Sequence, residues 1–154
     1  MCCTAETEAR RSRRAGVGRE HPIREAVDGT VRFLEGLGLR VTVGQHALDT
    51  LGYLAGIGAD RLADVNDALR DPVITAIIAT RGGKGAYRIA EQLAFAAAAR
   101  YPKLLIGFSE VSVLNLALWK HCRLPGVHGA RSSSPEPAPS RRDRSSTPYS
   151  PPVT

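Results

Sequence analysis

The chain has 154 residues, of which 43% are apolar, and a formal net charge of +6. This length and composition suffice for one hydrophobic core and exclude a transmembrane protein, because no apolar run approaches the ~20 residues that span a bilayer. The three cysteines form neither a metal-binding spacing nor a disulfide framework, which favours a reducing cytoplasmic location without a bound metal or cofactor.

Both ends of the chain differ in composition from the middle. Residues 1–21 are rich in arginine with almost nothing to pack, and residues 131–154 are dominated by Ser, Pro and Arg. Neither segment can bury enough surface to offset its ordering entropy, so we expect disorder in both. They also lack the interleaved aromatic residues and the reading helix of nucleic-acid-binding proteins, so we expect no nucleic acid as partner. Because no apolar run is long enough to span a bilayer, we expect no membrane partner either. The strong excess of Arg over Lys leads us to interpret both ends as frame errors or remnants of a decayed gene.

The middle of the chain, taken in order, alternates between helical and strand patterns. Apolar residues recur at helical spacing over 23–37, and a short β-branched strand is expected over 39–43. A second helix is expected to begin with Asp60 as its N-cap and to end before Asp71-Pro72, where proline disfavours the helical conformation. The apolar run over 74–80 then predicts a buried strand.

The second part of this middle segment continues the alternation. A glycine loop over 82–85 is predicted to lead into one helix that extends through the alanine-rich residues 94–99. An apolar strand over 104–106 and a helix over 111–120 follow. This order predicts an α/β fold with a doubly wound, mostly parallel, flavodoxin-like sheet. Because residues 1–21 contain no apolar run, we expect the sheet to lack its first strand.

Ser109 lies between the last apolar strand and the helix that follows it. Open α/β sheets bind ligands at the carboxyl ends of their strands, and unpaired N–H groups at the start of the next helix can stabilise an oxyanion. The position suits a nucleophile, although a serine after a glycine at a strand end is more often a simple helix N-cap. The pattern is not the nucleophile elbow of the α/β-hydrolases, because Val111 stands where the second glycine would be.

Four segments of the chain resemble the LD-carboxypeptidase family, which comprises the muramoyl-tetrapeptide carboxypeptidases and their microcin-immunity relatives. In chain order they are Gly52-Tyr53-Leu54-Ala55-Gly56, then Arg61-Leu62-Ala63-Asp64-Val65-Asn66 with Asp71-Pro72, then residues 76–88 around Arg81-Gly82-Gly83-Lys84-Gly85, and finally Tyr101 to Glu110 running on to His128-Gly129. The resemblance covers about residues 22–129 and corresponds to the amino-terminal domain of such an enzyme. We therefore divide the chain into a leader over 1–21, an α/β domain over 22–130 and a tail over 131–154.

The resemblance implies a serine peptidase that releases a terminal D-amino acid from a peptidoglycan stem peptide by cutting an L,D bond. Ser109 matches the family's nucleophile. The backbone N–H groups of Gly83 and Glu110 match its oxyanion hole. The implied partner is a muropeptide or a related small peptide, with a homodimer as a further option, and the implied process is peptidoglycan recycling.

The glycine loop supplies the substrate-binding residues under this interpretation, namely Arg81, Gly82 and Lys84. Arg81 could orient a substrate carboxylate or tie the loop to a neighbouring acid, and both alternatives stay open. Lys84 stands where the family usually has an aromatic residue, so a charge replaces a ring. Glu110 stands where the family usually has Asp, which keeps the backbone donor but changes the length of the side chain.

The glutamate and histidine of the family's triad belong to a carboxyl-terminal domain, and nothing after Gly129 resembles that domain. We therefore expect a truncated chain that is inactive by itself, a pseudoenzyme. Structural or exposed roles are expected for His46, His121 and His128, which have no partners at metal spacing.

The alternative from another functional class is a non-catalytic phosphate- or nucleotide-binding α/β module, suggested by the glycine loop. The P-loop pattern is not met, because Ile78 occupies the position of its first glycine and Gly85 follows the lysine in place of Ser or Thr.

Overall fold

The computed structural model describes residues 2–6, 22–52, 54, 56–82 and 84–129. Disorder was expected for residues 1–21 and 131–154; residues 7–21 and 131–154 lie outside the described residues, whereas residues 2–6 form a strand, so the expectation is wrong for them. The described helices and strands are β1 (Cys2–Glu6), α1 (Pro22–Gly36), β2 (Arg40–Val43), α2 (Gly58–Arg70), β3 (Ile74–Ala79), α3 (Phe95–Arg100), β4 (Leu104–Gly107), α4 (Ser112–Cys122) and β5 (Val127–His128).

The strands form one sheet with the order β2-β1-β3-β4-β5. Strands β3, β4 and β5 are parallel, with Ile77 opposite Leu105 and Ile106 opposite Val127. In the sequence, helix α3 lies between β3 and β4, and helix α4 lies between β4 and β5, as parallel connections require. The predicted α/β class with parallel strands is therefore confirmed.

Strand β1 corrects the expectation that the sheet lacks its first strand. It occupies the position between β2 and β3 and runs antiparallel to both, with Thr4 opposite Thr42 on one side and Ile77 on the other. Sheet pairing is made by backbone N–H and C=O groups, so a short segment without an apolar run can still fill the place. The direction of this strand confines the parallel arrangement to β3, β4 and β5.

Two helix boundaries also differ from the sequence predictions. Helix α2 begins at Gly58 after an extended Ile57, and Asp60 lies inside its first turn, where the helix dipole favours a carboxylate. The single helix predicted after the glycine loop is divided into a 3₁₀ turn at Ala90–Gln92 and the short helix α3.

The hydrophobic core lies between the sheet and helices α2, α3 and α4. Its largest fully buried side chains are Leu69 from α2, Ile77 from β3, Val111 after β4 and Leu114 from α4. These residues belong to one continuous cluster that extends from Val65 to Leu118. Among the described residues, no helix combines the length and apolar character needed to cross a membrane.

Candidate active site

Ser109 stands at the carboxyl edge of the parallel strands, in the turn from β4 into α4. It begins a 3₁₀ turn, Ser109–Val111, that leads directly into α4 and is named the nucleophile turn after the role that the family resemblance implies for Ser109. Its φ angle of 58° lies in the left-handed region, which costs a non-glycine residue about 1–3 kcal/mol and is concentrated at functional sites. The turn leaves Ser109 exposed to solvent. The fold therefore holds a serine in a strained conformation at the edge where α/β sheets bind ligands.

Two glycines permit the close packing around this serine. A Cβ atom on Gly82 would lie 2.9 Å from the Cβ of Ser109 and 2.9 Å from the ring of Phe108. A Cβ atom on Gly107 would overlap the side chain of Val111. The glycine loop after β3 can thus approach the nucleophile turn only because these positions carry no side chain.

The Glu110 side chain joins the glycine loop to the nucleophile turn. Its Oε1 accepts a hydrogen bond of 2.9 Å from the backbone N–H of Gly85 and a longer one of 3.4 Å from that of Tyr87. The glutamate side chain, which is longer than the family's usual aspartate, therefore reaches the loop. The sequence alone did not determine whether it would.

Arg61 supports the glycine loop from α2. The guanidinium is buried, and its Nη1 donates a 3.2 Å hydrogen bond to the carbonyl oxygen of Lys84. Gly85 has a φ of +94°, and a Cβ atom there would lie 3.0 Å from the guanidinium. A buried arginine against backbone carbonyls fixes the loop from the side opposite to solvent.

Two further polar residues of α2 are also buried and bind loop backbone. The carboxylate of Asp64 accepts the N–H of His46 at 3.1 Å. The amide of Asn66 donates to the carbonyl oxygen of Gln92 at 3.2 Å and accepts the N–H of Ala94 at 2.7 Å. The two hydrogen bonds of Asn66 lie where the chain turns between the 3₁₀ turn and α3. The sequence analysis did not identify these positioning roles. The signal that could have indicated them is the occurrence of polar residues at positions of α2 that face the core.

The His128 side chain connects β5 to the start of α4. Its Nδ1 lies 2.8 Å from the hydroxyl of Ser112, one turn after Ser109. Beside it, the N–H of Gly129 donates to the carbonyl oxygen of Gly107 at 2.9 Å. His128 therefore helps to hold the nucleophile turn against the sheet.

The remaining described histidines have acidic partners away from Ser109. His121 lies 2.9 Å from a carboxylate oxygen of Glu91 and stacks on Phe95. The hydrogen bonds from Lys120 and His121 lower the pKa of Glu91. Within the described part of the chain, no histidine is hydrogen bonded to the hydroxyl of Ser109.

His46 forms a separate group with Asp49 and Asp60, whose candidate ligand atoms all lie within 4.8 Å of one another. Its Nδ1 is 2.8 Å from Asp49 and 3.9 Å from Asp60. The hydrogen bond with Asp49, together with the charges of Asp60 and Asp64, raises the pKa of His46 above its ordinary value. Within the part of the chain that the structure describes, these three residues form the group that could hold a cation. The sequence spacing missed it because α2 brings Asp60 to the loop.

Lys103 anchors the start of β4 in the interior. Its ammonium donates to the carbonyl oxygens of Asp71, at 2.5 Å, and Ile74, at 2.7 Å. Burial lowers the pKa of Lys103. The contact fixes the end of α2 against the strand that leads to Ser109.

A cavity of about 380 Å³ opens beside the nucleophile turn. This volume is within the range of small-molecule sites. It is lined by Leu54, Lys84, Gly85, Tyr87, Arg88, Glu110 and Val113. Of the residues predicted to bind substrate, Lys84 lines this cavity and Gly82 packs on Ser109. Arg81 is exposed, and Gly83 lies outside the described residues.

Comparison with known proteins gives the family of the chain. The family model for the LD-carboxypeptidase N-terminal domain matches residues 15–129. The chain belongs to the LD-carboxypeptidase family. It is 34% identical over 113 residues to the probable murein peptide carboxypeptidase of Bacillus subtilis, a match that covers 73% of the chain and 35% of the relative.

Other similar proteins match a comparable share of the chain. The murein tetrapeptide carboxypeptidase of Pseudomonas aeruginosa is 38% identical over 106 residues, covering 68% of the chain and 34% of that protein. The microcin C7 self-immunity protein MccF, in complex with aspartyl sulfamoyl adenosine, aligns with a TM-score of 0.64 and 25% identity over 68% of the chain and 31% of its own. The chain thus spans about a third of the length of these relatives.

Proposed function

We propose that this chain carries the nucleophile-bearing domain, over residues 22–130, of a serine LD-carboxypeptidase. The observation that supports this most directly is the left-handed Ser109 at the end of β4, packed against a glycine of the loop after β3. A strained serine at the carboxyl edge of the sheet, within a family of carboxypeptidases, is best explained as the attacking residue.

The proposed reaction begins when the Oγ of Ser109 attacks the carbonyl carbon of an L,D peptide bond. A C–O bond forms, and the negative charge moves to the carbonyl oxygen, where the backbone N–H groups of Gly83 and Glu110 would stabilise it. The serine proton passes through a general base to the amine of the departing D-amino acid as the C–N bond breaks. Water then releases the acyl group from the serine.

The base in this scheme would come from a second domain, so we propose that the 154-residue chain is inactive by itself. The described histidines support this, because His46, His121 and His128 have partners other than Ser109. A serine hydroxyl without a base is a poor nucleophile at neutral pH. The substrate we propose is a murein peptide, because relatives are named as murein peptide and murein tetrapeptide carboxypeptidases. The cytoplasmic location that we propose rests on the cysteine pattern of the sequence.

The test is a chimera in which this chain's aligned segment replaces the corresponding third of the Bacillus subtilis relative. We expect it to release D-alanine from a murein tetrapeptide, whereas the 154-residue chain alone should release none. Ser109→Ala should abolish release. Ser112→Ala is the comparison variant: it removes the hydroxyl that bonds His128 one helical turn away, so it should lower the activity only in part, through the position of the turn, and not abolish it. Activity that survives Ser109→Ala but not Ser112→Ala would refute the assignment of the nucleophile.

A second candidate is a non-catalytic phosphate- or nucleotide-binding module. It is favoured by the cationic side chains of Lys84 and Arg88 at the cavity, and by the structural similarity to MccF, which has been determined in complex with adenosine monophosphate. Saturable binding of adenosine monophosphate to the chain, combined with an inactive chimera, would favour this candidate.

A further inference from the structure

The loop between β2 and α2 brings an imidazole and two carboxylates together, away from Ser109. His46 and Asp49 lie in one turn of the loop, in which the N–H of Asp49 donates to the carbonyl oxygen of His46 at 3.2 Å. Asp60 comes from the first turn of α2. Their candidate ligand atoms lie within 4.8 Å of one another. Atoms that bind one ion at about 2.0–2.2 Å are about 3–4 Å apart, so small side-chain movements suffice for all three to reach the same ion.

The charges of this group are not balanced by a basic residue of the described part of the chain. The Nδ1 of His46 is 2.8 Å from Asp49 and 3.9 Å from Asp60. Among the described residues, neither carboxylate has a lysine or arginine nitrogen within 4.0 Å. Two negative charges therefore face one imidazole, which can carry at most one positive charge. A divalent cation would offset both, with the imidazole neutral and bound through its nitrogen.

A second histidine–carboxylate pair shows the contrast. His121 lies 2.9 Å from Glu91, but Lys120 also donates to Glu91, at 3.0 Å. In that pair a lysine supplies the positive charge, and the structure brings no third ligand to it. The two pairs therefore have similar hydrogen bonds but different capacities for a cation.

The backbone around the loop ligands is held in place by neighbouring residues. The buried carboxylate of Asp64 accepts the N–H of His46 at 3.1 Å. Ala47, between the two loop ligands, is 3% exposed. Gly56 has a φ of +70°, and a Cβ atom there would lie 2.9 Å from the Cβ of Asp49, so the end of the loop packs on this residue. Ligands that are positioned before binding lose less conformational freedom when the ion binds.

We propose that His46, Asp49 and Asp60 bind a divalent first-row transition-metal ion through one nitrogen and two carboxylate oxygens. Imidazole together with carboxylates suits ions from Mn²⁺ to Zn²⁺, whereas Mg²⁺ and Ca²⁺ take oxygen ligands. The side chains of His46 and Asp60 are 27% and 35% exposed, which leaves room for water as a further ligand.

The ion would join the loop to α2 and so stabilise the segment that carries Leu54 to the cavity. This role is independent of the function proposed for Ser109. The expectation of no metal rested on the spacing of cysteines and histidines along the chain, whereas these ligands come together only when α2 packs against the loop.

The test is a titration of the ¹⁵N-labelled 154-residue chain with Mn²⁺, which broadens the amide resonances of residues near it. Mn²⁺ also prefers oxygen and nitrogen ligands to the thiolates of the three cysteines. We expect saturable broadening centred on residues 46–49 and 60, which about a tenfold excess of Mg²⁺ does not relieve. His46→Asn and Asp60→Asn should each weaken Mn²⁺ binding about tenfold or more.

The matched control is His121→Asn, because it removes an imidazole that is also hydrogen bonded to a carboxylate but lies outside the proposed site. It should leave Mn²⁺ binding unchanged. Equal broadening around Glu91, relief by Mg²⁺, or full Mn²⁺ affinity in His46→Asn would each overturn the site, since these results describe unspecific attraction to acidic residues. The position of the broadening is measured in the unsubstituted chain and so does not depend on how the variants fold.

Discussion

Two regions of the molecule share one sheet but are packed very differently. The leading region comprises β1, α1, β2 and the loop up to Ile57, and the nucleophile region runs from α2 to β5. The continuous core cluster belongs to the nucleophile region. The leading region buries Val27, Leu34 and Ala47 but leaves Phe33 and Leu37 more than half exposed. The position of Ser109 is therefore determined by the densely packed region, and substitutions in the two regions should have unequal effects.

The largest effect is expected from truncation of the core beneath the nucleophile turn. Leu114→Ala in α4 should lower the free energy of unfolding by about 2–5 kcal/mol, because it leaves a cavity at a residue that is 1% exposed. Leu116→Ala on the same helix, at a residue 66% exposed, should change it by about 0.5 kcal/mol or less. Urea unfolding measures both. Equal losses would mean that α4 is not packed as described.

The next effect compares one glycine from each region. Gly107→Ala should destabilise the fold by about 1–3 kcal/mol, because the new methyl group meets the side chain of Val111. Gly36→Ala meets no atom within 4 Å and lies in α1, so it should stabilise by up to about 1 kcal/mol. Thermal unfolding distinguishes the two signs. A neutral Gly107→Ala would contradict the close approach of β4 to the nucleophile turn.

A smaller loss is expected from the polar support of the loop before α3. Asn66→Ala removes hydrogen bonds to the backbone of Gln92 and Ala94 and should cost about 1–3 kcal/mol. The adjacent Asp67→Ala removes an exposed side chain and serves as the control, with an expected change of about 0.5 kcal/mol or less. Hydrogen exchange should show faster opening at residues 92–95 in Asn66→Ala alone. If both variants unfold at the same urea concentration, the buried amide is not a support.

The smallest effect lies in the leading region and depends on pH. The pKa of His46 is raised chiefly by its hydrogen bond to Asp49, so the folded state binds the proton more tightly than the unfolded state does. Its contribution is therefore fully present below the ordinary pKa of about 6.5 and is lost as the pH rises through the folded-state value. His46→Gln should lower the urea midpoint at about pH 5.5 by more than at about pH 8.5. A difference independent of pH would show that the charge of His46 is not involved.

Ser109 shows which features of the site local sequence patterns can predict. The alternation of helices and strands placed Ser109 between a strand and a helix, where the structure has it, and the glycines around it indicated tight turns. The residues that hold the site were not identified in the same way. Arg61, Asn66 and the side chain of Glu110 act on backbone groups 23 to 28 residues away. No local pattern specifies such partners.

Strand β1 is an element that local sequence patterns did not predict. Cys2–Glu6 has no pattern that separates it from an irregular segment, and its pairing partners lie in β2 and β3. By itself the sequence determined the order of helices and strands, the family and the turn that carries Ser109, because these depend on neighbouring residues and their periodicity. Only the tertiary structure decided the direction of β1, the buried polar support from α2 and the grouping of Lys84 with Arg88 around a cavity. These features arise from contacts between segments distant in the chain, which form when the core packs.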